Sequence, residues 1–272
     1  MNEPLTHAQF EEMISAKLAV ARRRFRLERA KIFPRIGDKY ADEPVKVLIC
    51  GESFYEDEEY RQRMLEGTED VAGEAIRIAE DGPLRIMKMV RDIRGEQPRM
   101  TGHFHRRVFR YLTGRTTGEA LRYLSGEATN KSVAHSAYLD EWQRWAFWEL
   151  IQERLPQPKP DKQRPRPTKK QWLEGEEALR EIMSQIDPQP NLVLGLGYEM
   201  GDELRATELL APCAKLGKDR LFVYQGPTAA GTRTYVLFAM HPAYRKIGPF
   251  LNRIVGDVAD TLALIRAERG LL

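Results

Sequence analysis

Val45-Lys46-Val47-Leu48-Ile49-Cys50, running into Gly51-Glu52-Ser53-Phe54-Tyr55, is the stretch on which the fold turns. Five of its first six residues are apolar, Pro44 precedes it and Gly51 follows it. A run this short and this apolar reads as a strand buried on both faces and ended by a sharp turn. It is the first strand of a core.

Further along, Leu192-Val193-Leu194-Gly195-Leu196 and Thr234-Tyr235-Val236-Leu237-Phe238-Ala239-Met240 have the same character. Helical spacing separates them. Trp172, Leu179, Ile182, Met183 and Ile186 predict a helix over 168–186, residues 199–210 are helical in composition, and a last helix spans 249–267. Strands alternating with helices predict an α/β fold, a three-layer α/β/α sandwich around a short, mostly parallel sheet. The stretch from Tyr138 to Leu155 is ambiguous, because Trp142, Trp145 and Trp148 fall at helical spacing while Trp145 to Ile151 also fits a short strand. These tryptophans read as core.

Before the first strand, a capping box at Thr6-His7-Ala8-Gln9 and apolar residues at Phe10, Ile14, Leu18, Ala21 and Phe25 predict one long helix over 6–32. We divide the chain into a basic helical extension, 1–44, and an α/β domain, 45–272, with a helical insertion at about 57–124. Pro156 to Pro167 reads as an extended, proline-rich connector.

Composition mainly excludes. The 272 residues are 42% hydrophobic and 31% charged, with 43 Lys plus Arg against 40 Asp plus Glu, an ordinary globular balance. No window holds the 18 or so apolar residues of a bilayer span, and no export leader is visible at the N-terminus, so we expect a cytoplasmic protein with no membrane partner. Two cysteines cannot build a four-cysteine metal or iron-sulfur site. His103-x-His105 has no third ligand nearby, so no metal is expected. Gly195-x-Gly197-x-x-x-Gly201 departs from the dinucleotide-binding spacing, and no cofactor is expected. Charge is uneven along the chain. Lys17 to Lys39 carries nine Lys or Arg against two acids, and Leu155 to Trp172 six against one, which suits a polyanionic partner.

In α/β sheets ligands bind beyond the carboxyl ends of the strands. Three exits are readable there: Gly51-Glu52-Ser53-Phe54-Tyr55, Gly197-Tyr198-Glu199 and His241-Pro242-Ala243-Tyr244. Glycine lets a ligand approach the backbone, a carboxylate can orient water, aromatics stack on a planar group and histidine donates to a developing anion. The set suits a planar heterocycle.

With these residues in place, the chain resembles the uracil-DNA glycosylase superfamily. Gly51-Glu52-Ser53-Phe54-Tyr55 stands where members carry a G-E-A-P-G, G-Q-D-P-Y-H or G-I-N-P-G motif after the first strand, and His241-Pro242-Ala243 where they carry H-P-S after the last. Trp145 to Gln152 resembles the second strand and Leu192 to Gly197 the third, and the likeness runs in order over about residues 45–250. The resemblance implies hydrolysis of the N-glycosidic bond to a base extruded from DNA. It implies catalytic roles at Glu52, Ser53 and His241, Glu52 orienting water and His241 bonding the departing base's carbonyl oxygen. It implies base-binding at Gly51, Phe54, Tyr55, Glu149 and Pro242, and DNA contacts at Tyr244, Arg245, Lys246 and Arg166. The partner it implies is DNA, single-stranded or damaged. Ser53 replaces the Asp or Asn of more active branches, Phe54 the motif's proline, and Glu149 an asparagine that reads the base edge. These departures leave open a binding module of the same fold for a nucleobase or single-stranded nucleic acid, and an enzyme acting on a free nucleotide or nucleoside.

Overall fold

The computed structural model of the chain describes residues 24–30, 33–53, 103–115, 141–153, 155, 165–228, 232–242, 244 and 246–271. The described strands are β1 (Arg35–Ile36), β2 (Val47–Gly51), β3 (Ala146–Glu149), β4 (Leu192–Leu196), β5 (Leu210–Pro212), β6 (Leu221–Tyr224) and β7 (Tyr235–Ala239). The described helices are α1 (His103–Thr113), α2 (Lys169–Gln185), α3 (Tyr198–Arg205) and α4 (Leu251–Glu268). All seven strands form one mixed sheet in the order β1-β3-β2-β4-β7-β6-β5. The fold is α/β.

Every residue of β2, β4 and β7 is buried, as their unbroken apolar sequences require. Alternate side chains go to opposite faces. Leu48, Cys50, Val193, Val236 and Phe238 join Leu179, Ile182 and Met183 of α2 and Met200 and Leu204 of α3. Val47, Ile49, Leu194 and Leu237 join Val108 and Phe109 of α1 and Ile254, Val258 and Ile265 of α4. Burying one such side chain contributes about 1.5–3 kcal/mol, so two apolar faces per strand hold the helices to the sheet.

The sheet departs from the mostly parallel expectation. Its centre, β3-β2-β4-β7, is parallel, but β1 runs antiparallel to β3, β6 to β7 and β5 to β6. Residues 213–220 and 225–234, which join β5 to β6 and β6 to β7, leave no room for a crossover helix, so these strands alternate in direction; β1 and β3 lie far apart in sequence. The stretch 199–210, expected to be helical throughout, is helix only to Arg205, and Leu210 already belongs to β5. The tryptophan-rich segment is divided: Trp142 is helical, Trp145 lies in the bend that follows, and only Trp148 belongs to β3; Trp142 and Trp145 stack edge to face at 5.3 Å in one cluster, while Trp148 is buried in the other.

The long helix expected over 6–32 is corrected at its end, since residues 25–30 are irregular. Its earlier part, and most of the insertion at 57–124, lie outside the described residues. Phe25, Phe33 and Tyr40 are core residues, so the chain before β2 is bound to the sheet. Side chains of α2 hold it there: the Glu181 carboxylate accepts from the backbone N–H groups of Glu28, Arg29 and Ala30, and Gln185 makes reciprocal bonds with the Arg26 backbone. Helix α2 starts as predicted, with Thr168 and Gln171 forming a capping box. No described helix is long and apolar enough to cross a membrane.

Gly195 and Gly201 have a packing role that removes the dinucleotide-loop reading. A Cβ on Gly195 would lie 2.5 Å from Cδ1 of Phe238, and one on Gly201 2.7 Å from Cγ of the same ring. The Phe238 ring fills the space both glycines leave. Gly195→Ala is expected to lower stability by about 1–3 kcal/mol through overpacking. In thermal or urea melts, Phe238→Leu in the same chain should recover part of that loss, a coupling of the sign expected for touching residues.

Candidate active site at the carboxyl edge of the parallel strands

Asn191 fixes where the parallel strands start. Its backbone N–H donates to Lys46 O at 2.8 Å, its side-chain oxygen accepts from Lys46 N at 2.9 Å, and its carbonyl accepts from Tyr235 N at 2.9 Å. With their amino ends tied, β2, β4 and β7 run in register and end together at Gly51, Leu196 and Ala239. Glu149 of β3 pairs with Gly51 in the same row. One residue further, Gly197 N donates to Ala239 O at 2.9 Å, and Ile151 N donates to Glu52 O at 3.1 Å. Glu52, Glu149, Gly197 and the start of the His241 loop therefore share one edge, with β2 and β7 two strand spacings apart, about 10 Å.

Two glycines make room for two carboxylates. A Cβ on Gly51 would run into the Glu149 carboxyl group, 2.7 Å from Oε1. A Cβ on Gly197 would lie 2.6 Å from Glu52 Oε2, and Gly197 has φ +154°, where side chains are rarely accommodated. Glu52 is 8% exposed. Oε2 of Glu149 is buried and has no hydrogen-bond partner. Burial, reinforced by the Glu52 charge, pushes the Glu149 carboxyl up to about 8. It is a carboxylic acid at neutral pH. Burial and then Glu149 also raise the Cys50 thiol, which stays protonated and inert.

Helix α1 shapes the far side of the edge. Tyr111 donates its hydroxyl to Met240 O at 3.1 Å, and Arg107 donates to Pro242 O and to Tyr244 O. The two side chains are four residues apart on one helical face and hold the loop after β7 on both sides of His241. Burial raises the Tyr111 hydroxyl, keeping it a donor. The loop also closes on itself, with Tyr244 N donating to His241 O at 2.9 Å.

Of the residues expected at the site, Gly51, Glu52, Ser53, Glu149, His241 and Pro242 lie along this edge, with Tyr244 and Lys246 exposed just beyond it. Phe54, Tyr55 and Arg245 lie outside the described residues. Arg166 is exposed and forms an ion pair with Glu199 after β4, so it borders the same edge. Sequence reasoning missed Arg107 and Tyr111. The signal was their four-residue spacing, hidden within an arginine-rich helix that looked merely solvated. It also missed that Gly197 is where Glu52 rests.

A cleft of about 240 Å³ opens beside the end of β7 and is lined by Tyr198, Lys218, Arg220, Arg253 and Asp257. Carboxylates already engage its inner cations: Lys218 pairs with Asp257 and Asp260, and Arg220 with Asp202 at 2.9 Å while its guanidinium stacks 4.3 Å over Tyr198. It is a locked ion-pair cluster. Among the described residues no group of His, Cys, Asp and Glu is arranged to hold a metal ion.

Comparison with protein-family models, with curated proteins and with solved structures gives no match.

The Glu149 carboxyl has a measurable consequence. Its value is raised from an ordinary 4.5 to about 8 on folding, so between those limits the folded state keeps a proton the unfolded chain has lost. Stability drawn from the neutral form is present at low pH and declines as pH rises through that window. Glu149→Gln keeps a neutral group there. In urea denaturation the variant should match the wild type at about pH 5 and exceed it increasingly toward about pH 8.

Proposed function

We propose that this chain is a DNA glycosylase-type hydrolase with a three-layer α/β/α fold of the uracil-DNA glycosylase kind, cleaving the N-glycosidic bond of a flipped, damaged or deaminated base. One observation carries the reading. The four strands singled out by the resemblance, β2, β3, β4 and β7, are the four contiguous parallel strands, and the residues it assigns to chemistry follow them at one edge.

The chemistry follows from the side chains. Glu52, buried and seated on Gly197, orients a water toward the sugar carbon and takes its proton as the oxygen bonds to that carbon. The N-glycosidic electron pair leaves with the base, whose carbonyl oxygen becomes anionic. His241, on a loop fixed by Arg107 and Tyr111, donates to that oxygen, a contact of the kind worth about 3 kcal/mol in a transition state.

Glu149 supports the reading in a way its residue type conceals. A carboxylate only accepts hydrogen bonds, whereas a neutral carboxyl offers one donor and one acceptor side by side, as an amide does. In the neutral form that burial favours, Glu149 can offer a uracil edge the same donor and acceptor pair as asparagine. Ser53, with no charge to offer, favours the second reading, a catalytically weak binding module of the same fold.

One assay separates the two. Labelled oligonucleotides bearing uracil, hypoxanthine or xanthine are incubated with the protein, and abasic sites are then cleaved with alkali. Strand breaks are expected, with His241→Ala and Glu52→Gln each slowing them by about 100-fold or more. Binding without breaks makes the chain a module. Neither breaks nor salt-sensitive binding removes the nucleic-acid reading.

A further inference from the structure

Two carboxyl groups, on Glu52 and Glu149, share the edge of the site. Glu149 of β3 is level with Gly51 of β2, and Glu52 follows Gly51 in the chain. Leu150 N donates to Gly51 O at 2.9 Å and Ile151 N to Glu52 O at 3.1 Å, so the backbones that carry the two acids are locked together. Each carboxyl leans one strand over. Glu149 lies against Gly51, and Glu52 against Gly197 just beyond β4. Their seats are therefore one strand spacing apart, about 5 Å. Each charge opposes the other at that distance, which is of the order that paired carboxyls keep across a glycosidic bond they break.

The surroundings decide which of the two holds a proton. Oε2 of Glu149 is buried with no hydrogen-bond partner, while the residue as a whole is only partly buried and is open to a ligand at the edge. Burial and the Glu52 charge both push its carboxyl up, to about 8. Cys50 of β2, the other ionisable group coupled to it, stays a neutral thiol. On the far side of the edge, Arg107 and Tyr111 of α1 donate to carbonyls of the loop after β7, which carries His241. An amide in the place of Glu149 could only read a base. A carboxylic acid can also give its proton away.

We propose that Glu149 and Glu52 are the catalytic acid and the catalytic base of one pair, Glu149 protonating the departing base while Glu52 deprotonates the attacking water. This rests on the glycosylase-type reading and adds a proton transfer to it. As the N-glycosidic bond breaks, its electron pair goes to the base, and the Glu149 O–H proton passes to the carbonyl oxygen at the edge Glu149 faces. The base then leaves as a neutral enol tautomer. On uracil, which has two carbonyl oxygens, His241 bonds the other one. The water oxygen bonds to the sugar carbon and its proton passes to Glu52. The sugar has gained a hydroxyl, Glu149 is ionised and Glu52 is protonated. Return of one proton from Glu52 to Glu149 restores the start, and the pair carries a single negative charge throughout. Bases that leave poorly as anions are the substrates that gain most from such an acid.

The test is Glu149→Gln in single-turnover strand-break kinetics, with oligonucleotides bearing uracil or fluorouracil. Fluorine makes the base a better leaving group, less in need of a proton. Glutamine keeps the shape, a donor and an acceptor, and has no proton to give. At about pH 7 the variant is expected to release uracil at least about 100-fold more slowly than the wild type, and fluorouracil less than about tenfold more slowly. Wild-type release of uracil should decline as pH rises through about 8, where Glu149 ionises, and the variant should lack that decline. Melting curves, and the fluorouracil release that survives, verify that the variant is folded with its site intact. A variant as fast as the wild type, equal slowing on the two bases, or the same alkaline decline in both proteins overturns the proposal. Each of those leaves the glycosylase reading standing, with Glu149 as a reader of the base edge alone. A wild type that releases neither base sinks the glycosylase reading itself, and the acid–base pair with it.

Discussion

The candidate site depends on one asparagine at the opposite end of the sheet. Asn191, 3% exposed, spends its backbone N–H and side-chain oxygen on Lys46 and its carbonyl on Tyr235. A register shift of one residue would turn every side chain of a strand to the other face, so tying three parallel strands at their amino ends decides what stands at their carboxyl ends. Glu52 meets Gly197, and Glu149 meets Gly51, because the strands are level. Thr234, fully buried, reinforces the same end by donating to Pro190 O at 2.6 Å.

The site then collects unlike requirements in a small space. Two carboxyl groups stand close together with little water, an arrangement in which both cannot be charged without cost. The molecule resolves it by leaving Glu149 neutral, on the flat surface of a glycine. A side chain that reads as a charge in the sequence becomes, in these surroundings, a neutral group with one donor and one acceptor.

How much of this was legible in the sequence differs from element to element. The buried strands β2, β4 and β7 and the helices α2 and α4 were readable within a residue or two, because unbroken apolar runs and helical spacing are strong local signals. The edge strands β1, β5 and β6 were not, since Arg35–Ile36 and Leu210–Pro212 hold too few residues for a pattern and owe their conformation to neighbours. The glycine series after β4 could be set apart from a dinucleotide loop by its spacing, but its use was not legible: Gly195 and Gly201 make room for one phenylalanine ring and Gly197 for one glutamate. Glu52 and His241 could be named from position alone, but the clamp by Arg107 and Tyr111 could not, because it joins segments with no local relation.

That clamp also bears on how the molecule comes together. Arg107 reaches a carbonyl 135 positions along the chain and Tyr111 one 129 positions along, while Glu181 gathers amides 151 to 153 positions before it. Contacts this distant in sequence close large loops before they return any stability, and they make a topology of high contact order that folds slowly. The His241 loop is therefore among the last parts to acquire its final shape during synthesis, when nearly the whole chain has emerged. A chain stalled short of β7 would carry six of the seven described strands but not the His241 loop.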